Sequence, residues 1–343
     1  MAAIPGLDLS RLRDYLDAYA PHLSGEMNAE LIEGGRSNLT YFVSSGPLQY
    51  VLRRPPLGHV LRTAHDMARE FRVITALSRS DVPVPEGLLL CEDESVIGAP
   101  FYLMSKVEGS VFRTKESTAH FSPADAKQVS FELIDTLALL HQVEPSEVGL
   151  ASFGRVDRFL QRQAMRWAKQ LASSKSREIR DIDELASRLS ASIPTSDSTG
   201  VLHGDYRLDN CIIDADLRLA GIVDWEMSTL GDCLSDVGLF TVYWDGIPGL
   251  PNSPVSGAIS AERGFPSAAE LLERYSISTG STLDRIQWYI AFGFFKLAVI
   301  LEGIHFRYRS GQTVGTGFEN IGNWVEPLVA AGMAALGKDG VGK

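Results

Sequence analysis

The sequence predicts an α+β chain in two lobes, and three observations carry that reading. Up to about residue 105, short runs with β-type alternation follow one another closely, with two helical stretches among them. Beyond that point, long stretches with an apolar period near 3.6 dominate. Within this second part, a few short apolar runs cluster around "GVLHGD", "NCIIDAD" and "LAGIVDW". The expected organisation is an N-terminal lobe at 1–105, with a leading helix, a five-stranded antiparallel sheet and one helix packed on it. A mostly helical C-terminal lobe at 106–343 follows.

The elements follow in order. "LDLSRLRDYLDAY" sets Leu12, Tyr15, Leu16 and Tyr19 on one helical face. "AELIEGGRSNLTYFVSS" reads as a hairpin: a strand enters Gly34 and Gly35, passes Ser37 and Asn38, and leaves through "LTYFV". "QYVLRRPP" is a third strand, stopped by Pro55 and Pro56. "DMAREFRVITALSR" is an amphipathic helix, and "VPVPEGLLLCED" and "APFYLMSKVEG" give two more strands. After Gly109 come helices at "ADAKQVSFELIDTLALLHQV", "VDRFLQRQAMRWAKQLA" and "SREIRDIDELASRLSASI". The three short strands follow, with a turn near 214–216. Helices resume at "LSDVGLFTVYW", "SAAELLERYS", the run from 282 to 309, and "NWVEPLVAAGMAAL". The Pro-, Gly- and Ser-rich segment 245–267 is a long loop.

Bulk properties narrow the function classes. The 343 residues carry a formal net charge of −11, which argues against a nucleic-acid partner. Cys91, Cys211 and Cys233 are odd in number and lack CxxC spacing, so no disulfide framework or zinc site is expected and a reducing cytoplasm is the natural setting. The N-terminus shows no signal-peptide pattern. The most apolar stretch, 288–306, is interrupted by Lys296 and Glu302, which predicts a buried helix and no membrane partner.

The chemistry concentrates in "VLHGDYRLDN" and "AGIVDWEMSTLGD". Taken singly, their aspartates are ordinary turn residues. Taken together, beside apolar strand flanks, they match what phosphoryl transfer to a hydroxyl requires. Such a reaction needs a carboxylate to orient the acceptor and take its proton, and Asp205 supplies it. Mg²⁺ takes oxygen ligands, offered by Asn210 five residues on and by Asp224 at a strand end. A triphosphate such as that of ATP needs backbone N–H groups from a glycine turn, offered by "EGGRSN", and a cation, offered by Arg53. Glu70 on the following helix can orient that cation.

This order of parts resembles the protein-kinase signature set. The wording "HGDYRLDN…IVDWE…GD…SD" resembles more specifically the aminoglycoside phosphotransferase family, which shares the kinase fold. Within it, the sequence is similar to the branch containing the kinase-like domain of acyl-CoA dehydrogenase family members 10 and 11. The resemblance runs from about residue 31 through the C-terminal helices and is most specific at 202–236. It implies an ATP- and Mg²⁺-dependent phosphotransferase acting on a small-molecule hydroxyl, with Asp205 as base, Asn210 and Asp224 on magnesium, and Arg53 on the phosphates paired with Glu70. It implies a hinge at "FYLMSKVEG", with Met104 beside the adenine and the backbones of Ser105 and Val107 at its edge. It also implies a buried Asp236 bracing the catalytic loop. Two departures stand out. Arg53 replaces the usual Lys, and Arg is planar, always charged and bidentate, so the two are not equivalent. The turn "GGRSN" also lacks the longer G-x-G-x-x-G, leaving Arg36 and Ser37 to compensate.

Other polar residues have simpler readings. His203 is expected to orient its loop, Asp209 to stabilise it, and His141 to be a satisfied core residue. Glu226 faces either substrate or a neighbouring Arg, and Asp232, Asp245, Glu262 and Glu273 read as solvated. The acidic residues are spread out, and the helix from 282 is aromatic and aliphatic with Lys296, Arg307 and Arg309 along it. The expected acceptor is therefore a metabolite alcohol with an apolar portion and an anionic end, such as a hydroxyacyl compound. The competing readings are a true aminoglycoside kinase and a kinase-like nucleotide-binding regulator without turnover. No A-P-E segment follows "DWE", which argues against a protein kinase.

Overall fold

A computed structural model of the chain describes residues 4–32, 38–57, 65–196, 198–245, 257–312 and 317–339. The expected glycine turn at Gly34, Gly35 and Ser37 lies outside these residues. The chain divides into two compact units, the first comprising Met1–Ser110, Val148–Leu150 and Ile212–Ser228, the second the remainder.

The first unit holds α1 (Leu9–Tyr19), β1 (Met27–Leu31), β2 (Leu39–Ser45), β3 (Leu48–Arg54), α2 (Met67–Leu77), β4 (Gly87–Cys91) and β5 (Phe101–Ser105). The strands form one sheet in the order β1-β2-β3-β5-β4, every pair antiparallel. Two-residue periodicity sorts its faces. Tyr41, Val43, Tyr50, Leu52, Phe101 and Leu103 pack with Leu12 and Leu16 of α1 into one apolar cluster. The register sets Phe42 opposite Val51 and Thr40 opposite Arg53, so these residues share the other face. Helix α2 starts where the Asp66 side chain accepts the Arg69 N–H at 2.9 Å, which puts Glu70 in its first turn.

Residues 212–228, expected in the C-terminal lobe, belong with the first unit because their backbone bonds go there. Ser110 and Ile213 exchange two backbone hydrogen bonds at 2.8 and 2.9 Å, and the Ile222 N–H donates to Pro83 O at 2.8 Å. β7 (Cys211–Ile213) and β8 (Leu219–Ile222) form a two-stranded ribbon, turned by Asp214, whose carboxylate accepts the N–H groups of Asp216 and Arg218.

The second unit holds α3 (Pro123–Gln142), α4 (Phe159–Ser174), α5 (Ile182–Ala191), α6 (Leu234–Asp245), α7 (Ala268–Thr279), α8 (Ile286–Arg309) and α9 (Val325–Asp339). It also holds β6 (Thr199–Leu202) paired antiparallel with β9 (Thr229–Asp232). Helix α8 is long and apolar enough to cross a membrane, but most of it is buried inside the fold, where α4, α5, α6 and α9 pack on it. Helices α6 and α8 approach closely at two glycines. A Cβ on Gly238 would lie 2.5 Å from the Tyr289 carbonyl carbon, and one on Gly293 would lie 3.3 Å from Leu239 Cα. This crossing fixes the N-terminal turn of α6, which carries Asp236.

Candidate active site

In the first unit, the charged residues gather around Arg53. Its Nε lies 2.9 Å from Glu70 Oε2, an ion pair at short range that is not aligned as a hydrogen bond, and Nη2 donates to Asp224 Oδ1. Asp224 follows β8 in the left-handed region at φ +69°, which Asp tolerates better than most non-glycine residues. Glu70 is 1% exposed and also accepts from Tyr102 OH and Asn38 Nδ2, each at 3.1 Å. Burial opposes the charge of Arg53, but the Glu70 and Asp224 carboxylates outweigh it and raise its pKa. Burial pushes the Glu70 carboxyl up, with Arg53 pulling against it.

Asn38 ties further groups into this cluster. Its Nδ2 reaches Glu226 Oε2 at 3.0 Å, and its Oδ1 sits 2.8 Å from His65 Nδ1. Glu226 therefore turns toward Asn38 and His65, and its charge also acts on Arg53, the neighbouring arginine of one reading.

At the end of β5, Met104 lies opposite Val51, on the Arg53 face of the sheet. The Ser105 N–H donates to Glu86 O at 2.8 Å, so a ligand bond from this residue would use its carbonyl. Val107 packs against β8, where a Cβ on Gly221 would lie 3.2 Å from both valine methyls. A cavity of about 450 Å³ opens along this unit, lined in part by Glu30, Phe42, Ser44, Gln49 and Lys106.

In the second unit, strand β6 delivers His203, Gly204 and Asp205. The His203 and Gly204 N–H groups donate to the two carboxylate oxygens of Asp236 at 2.7 and 2.9 Å. Asp236 is 2% exposed, and its Oδ2 also lies 3.5 Å from His141 Nε2. Although burial pushes the Asp236 pKa up, these donors outweigh it and hold the carboxyl below its ordinary value. The His203 ring accepts the Asp205 N–H on Nδ1 at 3.2 Å, the loop-orienting role expected of it. His141 is a buried core residue whose Nδ1 lies 2.8 Å from Tyr275 OH, while its Nε2 makes no hydrogen bond and meets Asp236 only at 3.5 Å.

Asp205 itself is held on both oxygens. Asn210 Nδ2 donates to Oδ2 at 3.0 Å and to the Asp205 backbone carbonyl at 2.8 Å. Tyr243 OH donates to Oδ1 at 2.5 Å. Arg207 Nε lies 3.5 Å from Oδ2, while Nη1 lies 3.3 Å from Asp209, giving Asp209 the loop-stabilising place expected. Lys296 donates from Nζ to Gly204 O at 2.7 Å, beside Asp205, and lies over the Trp167 ring. Burial lowers the Lys296 pKa, and Asp205 and Asp236 work in the other direction.

The sequence pattern of the phosphotransferase enzyme family (APH) matches residues 28–288. The chain belongs to that family. Acyl-CoA dehydrogenase family member 11 of Rattus norvegicus is 34% identical over 334 residues, which is 95% of this chain and 43% of that protein. The chain thus spans less than half of this curated relative. A crystal structure of a candidate aminoglycoside phosphotransferase from Ralstonia eutropha is 33% identical, with a TM-score of 0.83, covering 96% of this chain and 98% of that one. Aminoglycoside phosphotransferase APH(4)-Ia shares the fold at 14% identity and a TM-score of 0.60, covering 97% of this chain and all of that one. The neighbours share the protein-kinase-like two-lobed α+β fold, which this family member has.

Within this family member, the structure unites Arg53, Glu70 and Asp224 in one unit and Asp205 with Asn210 in the other. Asp232 departs from expectation. It is 1% exposed and accepts from Tyr289 OH at 2.8 Å and from the Leu234 N–H at 2.9 Å. It sits at the end of β9, a strand the sequence reading did not place, so its carboxylate points into the fold. Tyr243 and the linking role of Asn38 also went unread. The hydrogen bond from Tyr243 joins residues 38 positions apart, and no local pattern announces it.

Proposed function

We propose that this phosphotransferase moves the γ-phosphoryl group of ATP to a hydroxyl of a small molecule, with Mg²⁺ and with Asp205 as the base. The observation that carries this reading is the Asp205 carboxylate. Both oxygens are oriented by donors, and yet the side chain stays 25% exposed, so an acceptor hydroxyl can reach it. APH(4)-Ia forms a ternary complex with AMP-PNP and hygromycin B, which supports a nucleotide donor and a small-molecule acceptor for this fold.

Each unit by itself offers an oxygen donor that suits magnesium: in the second, Asn210 gives its NH₂ to Asp205, which leaves the amide oxygen for a cation, and in the first, Asp224 carries a carboxylate. Among the described residues no cluster of three or more His, Cys, Asp or Glu is built to hold a metal alone, so phosphate oxygens and water would complete the coordination. Bound there, the ion would neutralise charge on the transferring phosphoryl group. Arg53 holds phosphates, and Glu70 keeps its guanidinium from swinging away.

The acceptor we infer is a metabolite alcohol with an apolar part and an anionic end, such as a hydroxyacyl compound. Lys296 and Arg207 stand at the catalytic loop, whereas nearby carboxylates are already engaged: Asp209 by Arg207, Asp232 by Tyr289, and Asp236 by the His203 and Gly204 amides. A polycationic aminoglycoside would meet cations there. The test is acceptor-dependent ADP release, comparing kanamycin-like compounds with hydroxy acids and neutral alcohols. Preference for the hydroxy acids is expected, and low-micromolar use of an aminoglycoside would overturn the acceptor assignment. Asp205→Asn should lose turnover roughly 100-fold or more while keeping nucleotide affinity. Near-normal turnover in that folded variant would remove the base assignment.

A second reading, nucleotide binding without turnover, draws on the contact between Arg53 and Asp224, which engages the carboxylate the metal would need. ATP binding that is indifferent to Mg²⁺, with no turnover on any acceptor, would favour it.

A further inference from the structure

We infer that Tyr243 is a positioning residue for phosphoryl transfer, locking the Asp205 carboxylate in the orientation that receives the acceptor hydroxyl. The inference rests on the reading of Asp205 as the base.

A carboxylate held at one oxygen can still rotate about its Cβ–Cγ bond. Holding both oxygens from different directions removes that freedom. Here Asn210, on the catalytic loop itself, takes Oδ2, and Tyr243, on α6, takes Oδ1 at 2.5 Å. Each oxygen of an ionised carboxylate has two lone pairs, so each keeps one for a further donor. Tyr243 is itself fixed. It is 5% exposed, and the Arg207 guanidinium covers its ring at 5.3 Å. The helix that carries it is pinned at its first turn, where Asp236 bonds the catalytic-loop amides, and at its middle, where Gly238 meets α8. One helix therefore sets both the backbone of the loop and the side chain of its aspartate.

The same unit contains a matched pair with a different setting. Tyr289 OH donates to Asp232 Oδ2 at 2.8 Å, but that carboxylate is buried and also holds the Leu234 N–H. Its bond satisfies an interior group and orients nothing toward a ligand. The pair is an internal control for what loss of a buried phenol–carboxylate bond does to the fold alone.

The experiment compares the wild-type chain with Tyr243→Phe, Asp205→Asn, the double variant, and Tyr289→Phe. ADP release is measured with ATP, Mg²⁺ and a medium-chain hydroxy acid as acceptor probe, and hydrolysis by water is followed in parallel. Crystal structures are determined for the wild type and Tyr243→Phe. Tyr243→Phe is expected to lower kcat roughly tenfold. KM for ATP and for the probe should stay within about twofold, and the Asp205 carboxylate should rotate from its wild-type orientation. The double variant should fall no further than Asp205→Asn, because the tyrosine acts only through that carboxylate. Tyr289→Phe should lower the melting temperature and leave kcat within about twofold. An unmoved Asp205 in the Tyr243→Phe crystal, or losses that multiply in the double variant, would overturn the inference. Near-normal turnover by Asp205→Asn would instead remove the base reading, and the orientation of Asp205 in the Tyr243→Phe crystal would still decide the positioning.

Discussion

Asp224 and Asp205 are both partly exposed aspartates in this family member, and their closest partners differ in charge. Asp224 is gripped by a full positive charge, the Arg53 guanidinium, which is also paired with buried Glu70. Asp205 takes its two hydrogen bonds from neutral donors, a phenol and an amide, with the Arg207 guanidinium farther off at 3.5 Å. A cationic partner neutralises a carboxylate and can be replaced by another cation. Neutral donors orient a carboxylate and leave its charge in place. Under the proposed function, the difference suits a carboxylate that exchanges one cation for another in the first unit, and one that must stay anionic and aimed in the second.

Breaking the charged cluster should have the largest effect. Arg53→Ala leaves Glu70 buried without its cation, and loss of one partner of a buried pair costs about 3–5 kcal/mol. Denaturant midpoints should show it, and a change below about 1 kcal/mol would mean that the cluster is not coupled as described. Arg53→Lys should fall between, since one ammonium cannot span Glu70 and Asp224 as a planar guanidinium does.

The next effect tests the neutral side at its base. Asp236→Asn weakens the acceptor for the His203 and Gly204 amides, and hydrogen bonds to a charged group are worth about 1.5–3 kcal/mol. The folded pKa of Asp236 lies below its ordinary 3.8, so its charge stabilises the fold above the unfolded value. That advantage is lost as pH falls through the folded value. The stability gap between wild type and Asp236→Asn should therefore be constant near neutrality and shrink as pH drops below about 4. A gap that widens in acid would contradict the assignment.

The smallest effect sharpens the exchange idea. Asp224→Ala should reduce the Mg²⁺-dependent tightening of ATP binding about tenfold or more, since one carboxylate ligand is lost. A nucleotide titration with unchanged magnesium dependence would show that the contact with Arg53 is purely structural.

Much of this architecture is legible in the sequence because its signals are local. The spacing of Asp205 and Asn210 places both on one short turn, and alternation in "YVLRR" sends Arg53 to the face opposite the apolar cluster. What escapes is nonlocal or short. Tyr243 lies in a run that reads as plain apolar helix, and only the tertiary path of α6 brings its hydroxyl to Asp205. Strand β9 has four residues, including Gly231, too few for an alternating pattern to stand out, so Asp232 looked like surface. Residues 212–228 sit late in the sequence but bond backward to Pro83 and Ser110, which no composition shift announces.

Arg53 stands beside Arg54, and the two neighbours do unlike work. Arg54 donates to the backbone carbonyls of Pro55, Gly6 and Ile97, tying the N-terminal segment to the sheet. A slip of β3 by one residue would offer Glu70 and Asp224 a guanidinium just the same, so electrostatics alone cannot tell the right register from the wrong one. Discrimination falls to Tyr50 and Leu52, which the slip would expel from the apolar cluster in favour of Val51 and an arginine. The fidelity with which this strand finds its place during folding thus rests on two apolar side chains that touch none of the site's charges.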